Sequence, residues 1–257
     1  MVKNFTTALQ FLTIFTVSKE HRVEEGDLAQ SMTWFPVIGF LIGLILVYAD
    51  HAFTFVALPQ AIGNMLLLVL AALITRALHI DGLADTCDGI MGGADCGSRL
   101  AIMKDSRIGT AGVLGIVFVM FVKYLCLNHL FTSEKAAALL TAPMLGRWSQ
   151  AFMVYGANYG REHGMGKAFV GRLRFGALAG ASAIAAGLSA FVIIREDARS
   201  FILAGIVLCG VLAATYLGKR YLVRKLGGVT GDAIGAMSEL NEALVLLLFV
   251  MFSIGNG

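Results

Sequence analysis

The chain has 257 residues, of which 58% are hydrophobic and only 14% are charged. Soluble domains average roughly 45–50% apolar and about 25% charged residues, so this composition excludes an ordinary globular protein. The net charge is only +3, and the basic residues lie between apolar segments without forming a patch, which argues against nucleic acid as a partner. The composition predicts an all-α, polytopic membrane protein.

Seven apolar segments approach the length of about 20 helical residues that a bilayer crossing needs. We predict about seven transmembrane helices, within a single membrane domain over residues 1–257, at 35–58, 61–78, 108–127, 136–155, 176–194, 201–217 and 234–254. An earlier apolar stretch, residues 5–17, is too short and polar for a cleavable signal peptide. It is interpreted either as a helix in the membrane interface or as one packed on the bundle.

Lysine and arginine are distributed unevenly between the two sides that these spans define. Fifteen of them fall in the N-terminal segment and the loops on its side, and three fall on the opposite side. The positive-inside rule therefore predicts a cytoplasmic N-terminus and a multi-pass protein of the cytoplasmic (inner) membrane. The same rule places the loops that carry the polar motifs on the cytoplasmic face. The four cysteines have no C-x-x-C spacing and are interpreted as packing residues.

Three aspartates follow the second apolar segment, in the stretch H-I-D-G-L-A-D-T-C-D-G at 79–89. Asp81, Asp85 and Asp88 are spaced i, i+4 and i+7, which puts them on one stripe of a helix. Their mutual repulsion is relieved if a cation lies among them, and oxygen ligands favour Mg²⁺, which commonly also holds a substrate's phosphates. We therefore predict all three as metal ligands; a solvated loop face is the alternative.

Basic side chains follow directly after this acidic stripe. Arg99, Lys104 and Arg107 supply three cations within nine residues, which suits the oxygens of a nucleoside diphosphate. A glycine-rich segment at 159–169 adds Arg161 and Lys167 as further candidate donors to the substrate. The alternative interpretation is that these side chains anchor the loops at anionic lipid headgroups.

A second acidic stretch, residues 227–242, runs from a glycine-rich loop into the last apolar segment. Acids within a span are costly and usually indicate function, so for Asp232 we favour contact with metal or substrate. Glu242 has an alternative role as the partner of Arg147, a basic residue within the fourth span. His79 precedes the acidic stripe and, with Asp88 and Asp232, is a candidate proton acceptor; an ordinary structural histidine is the competing interpretation.

Taken together, these stretches resemble the adenosylcobinamide-GDP ribazoletransferases, also called cobalamin synthases. The resemblance rests on motifs in chain order across nearly the whole chain: F-P-x-x-G at 35–39, H-x-D-G-L-A-D-T-C-D-G at 79–89, R-x-x-I-M-K-D-S-R-x-G-T at 99–110, R-E-x-G-M-G at 161–166 and G-G-x-T-G-D-x-x-G-A at 227–236. Two departures are mild, since Lys104 stands where arginine is usual and Met165 where leucine is common.

The resemblance implies an enzyme that joins adenosylcobinamide-GDP to α-ribazole, or to its 5′-phosphate, with release of GMP and with Mg²⁺ as cofactor. It implies that the Asp81 and Asp232 motifs are functional, and within the second of them we add Thr230 to the expected substrate-binding residues. The expected partners are these two substrates and the lipid bilayer, and a homo-oligomer is compatible with the sequence.

Two other functions deserve comparison. A CDP-alcohol phosphotransferase also uses a multi-aspartate helix at the membrane, and its pattern begins D-G-x-x-A-R. In this chain Ala84 is followed by Asp85 instead of arginine, and the third acid comes too soon for that pattern. A cation transporter also needs intramembrane acids, but it usually places them near the midplane in two related halves. Here the acids gather at one end of the spans and no internal duplication is visible.

Overall fold

The computed structural model describes residues 2–17, 25–194 and 198–254. Within these ranges the structure is helical, and its one β feature is an isolated parallel bridge between Tyr159 and Val229. The helices are α1 (Val2–Leu12), α2 (Glu25–Ser31), α3 (Phe35–Phe55), α4 (Gln60–Ile74), α5 (Leu78–Gly92), α6 (Cys96–Ile102), α7 (Thr110–His129), α8 (Thr132–Val154), α9 (Phe175–Ile193), α10 (Ala198–Leu226) and α11 (Gly231–Ile254). The predicted all-α fold is confirmed.

Five helical segments in the described residues are long and apolar enough to cross a membrane: Leu28–Phe55, Thr110–His129, Phe175–Ile193, Ala198–Leu226 and Gly231–Ser253. A sixth is reached if α4 and α5, which meet at 91°, count as one broken span. Large apolar side chains such as Phe118 and Phe201 are more than half exposed on these helices, as lipid-facing residues are. The protein is therefore a multi-pass membrane protein.

The predicted count of seven spans is not confirmed, because two of the predicted segments differ from simple apolar helices. The segment 136–155 belongs to α8, whose apolar run is interrupted by Arg147, Ser149 and Gln150. The segment 61–78 ends early, since α4 stops at Ile74. The orientation of the N-terminus stays a prediction, and Lys19, Arg22 and Arg195, which contributed to it, lie outside the described residues.

Helix α8 lies at the centre of the bundle, where it packs against α3 and α11. Its contact with α3 is close because Gly43 faces the α8 backbone; a Cβ at Gly43 would lie 2.6 Å from the carbonyl oxygen of Leu139. Small residues let membrane helices approach in this way. The central position explains why α8 tolerates polar side chains: they face other helices instead of lipid.

A strained turn separates α4 from α5. Arg76 and Ala77 have φ values of 55° and 52°, a left-handed conformation that costs a non-glycine residue roughly 1–2 kcal/mol. The Arg76 guanidinium donates to the carbonyl oxygens of Gln10 and Thr13 at 3.0 and 3.1 Å, which ties the turn to the end of α1. Since Ala8 and Leu12 are fully buried, α1 packs on the bundle. The turn makes the acidic stretch a separate helix.

A buried network of four charges joins α7, α8 and α11. Lys123 Nζ lies 2.6 Å from both Glu239 Oε2 and Glu242 Oε2, and Arg147 contacts the other oxygen of Glu242. Arg147 also donates to Ser238 Oγ at 2.9 Å. The two positive and two negative charges balance, which is the condition under which such charges can be buried. The pairing of Glu242 with Arg147, expected as the alternative to a functional role, is confirmed.

Candidate functional site

A cleft of about 340 Å³ opens at the end of the bundle where α5 and α11 begin and α8 ends. Its walls come from α1, α3, α5, α8 and α11 and from the glycine-rich loop that follows α8. The polar side chains lining it include His79, Asp81, Gln150, Tyr159, Arg161 and Asp232. Residues from four of the five motifs found in the sequence, counting Phe35, therefore meet around one space.

The crossing of α5 over α11 brings Asp81 and Asp232 together. At Gly82 a Cβ would lie 2.8 Å from the carbonyl oxygen and 3.0 Å from the Cα of Asp232, so only glycine permits this approach. Further along the same contact, a Cβ at Gly235 would lie 3.2 Å from the Cα of His79. The two acidic motifs are thus in backbone contact, and both aspartates line the cleft.

The charges at the cleft are mainly negative. Asp232 pairs with Arg161 at 2.7 Å, and the two side chains are 23% and 10% exposed. Asp81 is exposed, and Asp85 is half-buried close enough to Asp81 and Asp232 for their charges to interact. Three carboxylates therefore lie near a single guanidinium, and this excess of negative charge favours the binding of a cation.

The glycine-rich loop is held against the start of α11 by backbone contacts. Gly160 N–H donates to the carbonyl oxygen of Val229 at 3.0 Å, and Val229 N–H donates to that of Asn158 at 2.8 Å. These bonds carry Arg161 to Asp232. Burial raises the pKa of the Tyr159 phenol, which therefore stays protonated as a donor at the cleft. Thr230 is buried, and its Oγ1 accepts from Ala233 N–H at 3.1 Å, which caps α11.

Asp88, the third residue of the acidic stripe, is occupied by the backbone. Its Oδ2 accepts from Gly109 N–H at 2.7 Å and its Oδ1 from Gly112 N–H at 2.8 Å. Gly109 is the residue before α7, so the carboxylate caps the N-terminus of that helix, where negative charge is favourable. Both carboxylate oxygens of Asp88 are engaged, and its predicted metal and catalytic roles stay predictions.

The predicted cations are dispersed. Of these residues, Arg161 belongs to the described lining of the cleft. The guanidinium of Arg99 donates to the carbonyl oxygens of Ala94 and Lys225, at 2.8 and 3.3 Å, and so joins the α5–α6 loop to the last turn of α10. Lys104 is exposed, and Lys167 donates to the carbonyl oxygen of Glu162 at 2.8 Å.

Arg107 is the most solvent-exposed of the predicted cations that form an ion pair. Its side chain is 87% exposed and pairs with Asp105 at 2.6 Å. Hydrogen bonds from Arg107 lower the pKa of Asp105 to about 2. The pair lies on the loop before α7, and the role of Arg107 in substrate binding stays a prediction.

His79 lies at the inner end of the cleft and is only 2% exposed. The side-chain nitrogen of Gln150 lies 2.8 Å from His79 Nε2 and 3.2 Å from Ser238 Oγ. An amide nitrogen only donates, so His79 Nε2 accepts and the hydrogen of the neutral ring resides on Nδ1. Gln150 was not identified from the sequence. The polar pair Ser149–Gln150, close to Arg147 within an apolar segment, could have indicated a functional role.

A divalent metal ion fits the carboxylates at this cleft. No group of three or more histidine, cysteine or acidic side chains in the described residues forms a ready ligand set. Mg²⁺, however, is usually bound by one or two carboxylates together with substrate phosphates and water. Asp81 is exposed at the cleft with Asp85 beside it, so these two aspartates meet that requirement.

Fold and cleft together define a class: a multi-pass membrane protein with an acid-lined, arginine-containing site at one end of its helical bundle. The profile of the family described as cobalamin-5-phosphate synthase matches residues 4–250. The chain therefore belongs to the cobalamin-5-phosphate synthase family.

Relatives named adenosylcobinamide-GDP ribazoletransferase match over nearly their full lengths. The protein from Geotalea daltonii is 39% identical over 97% of this chain and 98% of its own. The one from Syntrophobacter fumaroxidans is 36% identical over 96% and 97%, and the one from Desulforamulus reducens is 34% identical over 98% and 97%. No solved structure matches the chain.

Proposed function

We propose that the chain transfers the adenosylcobinamide-phosphate group of adenosylcobinamide-GDP to α-ribazole or its 5′-phosphate. A ribose hydroxyl attacks the phosphorus that carries the cobinamide arm, and the bond from that phosphorus to the oxygen of the departing GMP breaks. The hydroxyl proton passes to a carboxylate, and the product is adenosylcobalamin or its 5′-phosphate. The observation that carries this proposal is the meeting of Asp81, Asp232 and Arg161 at one cleft in a member of this family.

Phosphoryl transfer asks a protein mainly for positioning and for neutralisation of charge. Asp81 and Asp85 would hold Mg²⁺, which would supply positive charge at the diphosphate. Arg161 lies in the cleft with its guanidinium on Asp232, and it supplies donors for the oxygens that Mg²⁺ leaves free. This assignment gives no part in the transfer to the other predicted cations, which are not among the described residues that line the cleft: Arg99, Lys104, Arg107 and Lys167.

Asp232 is the best placed of the three candidate proton acceptors. Both oxygens of Asp88 accept backbone N–H groups, and the free nitrogen of His79 carries a hydrogen. Asp232 lines the cleft, and its ion pair with Arg161 is released if the guanidinium turns to a phosphate. The carboxylate then has an oxygen free for the hydroxyl proton.

The reaction site is proposed to lie at the cytoplasmic face of the inner membrane. The start of α5, the end of α8 and the start of α11 all border the cleft. Each of these helix ends adjoins a connection that carries part of the excess of lysine and arginine. This shared end supports a single-sided site. An introduced cysteine near Arg161 should not react with an impermeant reagent added outside intact cells. Labelling of that cysteine would contradict a site on the cytoplasmic face.

The activity is tested with purified protein in lipid nanodiscs, supplied with adenosylcobinamide-GDP and α-ribazole, with and without Mg²⁺. We expect GMP and adenosylcobalamin to form in equal amounts and only with the metal. Failure of the wild-type protein to release GMP under these conditions would remove the proposed function.

Replacement of Asp81 by asparagine tests the carboxylate most directly. Loss of metal-assisted charge stabilisation is expected to lower turnover by about 10²- to 10³-fold, the cost of one key electrostatic contact. Glu134→Gln is the matched control, because Glu134 lies in the first turn of α8, outside the motifs and outside the described lining of the cleft. Similar turnover of the two variants would show that Asp81 holds no metal during the reaction.

A further inference from the structure

One wall of the cleft is apolar and aromatic, which a diphosphate does not need. Phe11, Phe35 and Phe169 all line it. Their ring centroids are 4.9 Å apart for Phe11 and Phe169, and 6.1 Å apart for Phe11 and Phe35, whose planes are inclined by only 15°. Phe35 and Phe169 are buried and Phe11 is half-buried, so the cluster, brought together from α1, α3 and the glycine-rich loop, forms a firmly packed apolar side of the cleft against which a flat ring can pack.

The same cleft is also lined by a residue that carries a buried hydrogen-bond donor. His79 Nδ1 is buried and has no hydrogen-bond partner within the described residues. Because the Gln150 amide donates to Nε2, the hydrogen of the ring is on Nδ1. A buried donor without a partner is costly, so a ligand that supplies an acceptor here gains affinity.

We infer that the aromatic wall and His79 form a subsite for the base of the acceptor nucleoside. The inference rests on the proposed function and assigns one part of that cleft. The base of ribazole is a dimethylbenzimidazole: flat, apolar, with one free ring nitrogen that accepts a hydrogen bond and no hydrogen to donate. Its hydrocarbon edge suits the phenylalanines, and its nitrogen suits the Nδ1–H of His79.

The donor's guanine base fits this subsite poorly. Guanine presents several N–H donors, which would be buried against phenylalanine rings and a histidine that is itself a donor. Burying polar groups without partners is costly. With the benzimidazole at the aromatic wall, the ribose of the acceptor lies toward Asp81 and Asp232 at the polar side of the cleft. The nucleophilic hydroxyl is thereby delivered to the residues assigned to the transfer.

The test uses a change of one ligand atom, which leaves the protein intact. Equilibrium binding of α-ribazole is compared with that of the corresponding indole riboside, in which a C–H replaces the free ring nitrogen. Purified protein is used without adenosylcobinamide-GDP and without Mg²⁺, so that no catalysis is required. We expect the indole riboside to bind about tenfold more weakly, the effect of one hydrogen bond.

A His79→Phe variant should lose this discrimination and bind the two ribosides alike. His129→Ala, a change of an exposed histidine at the far end of α7, should keep it. Equal affinity of the wild-type protein for the two ribosides would overturn the inference. Failure of α-ribazole to bind, or its displacement by GMP at matching concentrations, would overturn it as well.

Phe169→Leu provides a second and kinetic test. Stacking of a base on an aromatic ring contributes to binding, so the KM for α-ribazole should rise about tenfold while the KM for adenosylcobinamide-GDP stays unchanged. Phe118→Leu, on the exposed face of α7, is the matched control. If the Phe169→Leu variant turns over with an unchanged KM for α-ribazole, the subsite is rejected and the proposed reaction is not. If the wild-type protein prefers α-ribazole to the indole riboside but releases no GMP, the proposed reaction is rejected and the subsite is not.

Discussion

The two acidic regions of α11 differ in their surroundings more than in their chemistry. Asp232, in the first turn, faces the cleft with one arginine and two other aspartates nearby. Glu239 and Glu242, two turns and more further along, are buried against Lys123 and Arg147. The first region has an excess of negative charge open to solvent, and the second is neutral and closed.

This difference separates a binding site from a structural element. Where negative charge exceeds positive charge and water has access, a metal ion and phosphates can enter and complete the set. Where the charges already balance, each group holds its neighbours in place, and removal of any one leaves an uncompensated buried charge. Acids within an apolar helix therefore indicate function only when their partners are incomplete.

The largest effect on stability is expected from Lys123→Met. The change leaves Glu239 and Glu242 with Arg147 as their remaining partner in this network, and breaking a buried pair in this way costs about 3–5 kcal/mol. Thermal unfolding in detergent would show it as a lowered Tm. The double variant Lys123→Met/Glu239→Gln removes one charge of each sign and should recover part of the loss. An unchanged Tm for the single variant would contradict a structural role.

Gly82→Ala tests the contact that joins the two acidic motifs. The added methyl group would lie 2.8 Å from the carbonyl oxygen of Asp232, so α5 and α11 must separate. A displacement of about 1 Å at a catalytic group can cost 10²-fold in rate, and we expect GMP release to fall by roughly 10- to 10²-fold. Gly187→Ala in α9 is the matched control, because a Cβ there meets nothing within 4 Å. Equal activity of the two variants would contradict the close crossing.

Asp88→Asn is expected to have the smallest effect of these. Asparagine keeps one acceptor oxygen for the N-terminus of α7, and loss of the other contact should cost about 1 kcal/mol of stability, as for other helix caps. Activity per folded molecule should stay within about twofold. A loss as large as that expected for Asp81→Asn would instead return Asp88 to the metal site or to the proton-transfer step.

The sequence was sufficient for the features that depend on local spacing. The helical stripe of Asp81, Asp85 and Asp88 lies on one helix, and the functional cleft includes Asp232 from the other acidic motif. The Glu242–Arg147 pair was also foreseen as an alternative, because Arg147 is the basic residue near the middle of the fourth predicted span. Periodicity and charge carry this information directly.

Contacts between residues far apart in the chain could not be predicted from the sequence. Arg99 donates to the carbonyl oxygen of Lys225, a backbone group that no side-chain pattern marks. His79 meets Gln150 across 71 positions, and the aromatic wall draws on three separate segments. The predicted count of about seven spans was not confirmed either, since five or six segments of the described residues are long and apolar enough to cross a membrane.

The most direct test of the shared site is a double-mutant cycle of Asp81→Asn and Asp232→Asn, read as the rate of GMP release from adenosylcobinamide-GDP. Residues that act on one ligand are strongly non-additive. The account predicts that the double variant is scarcely slower than the slower single variant. Two losses that multiply in full would show that these aspartates act independently, and would contradict a single site between α5 and α11.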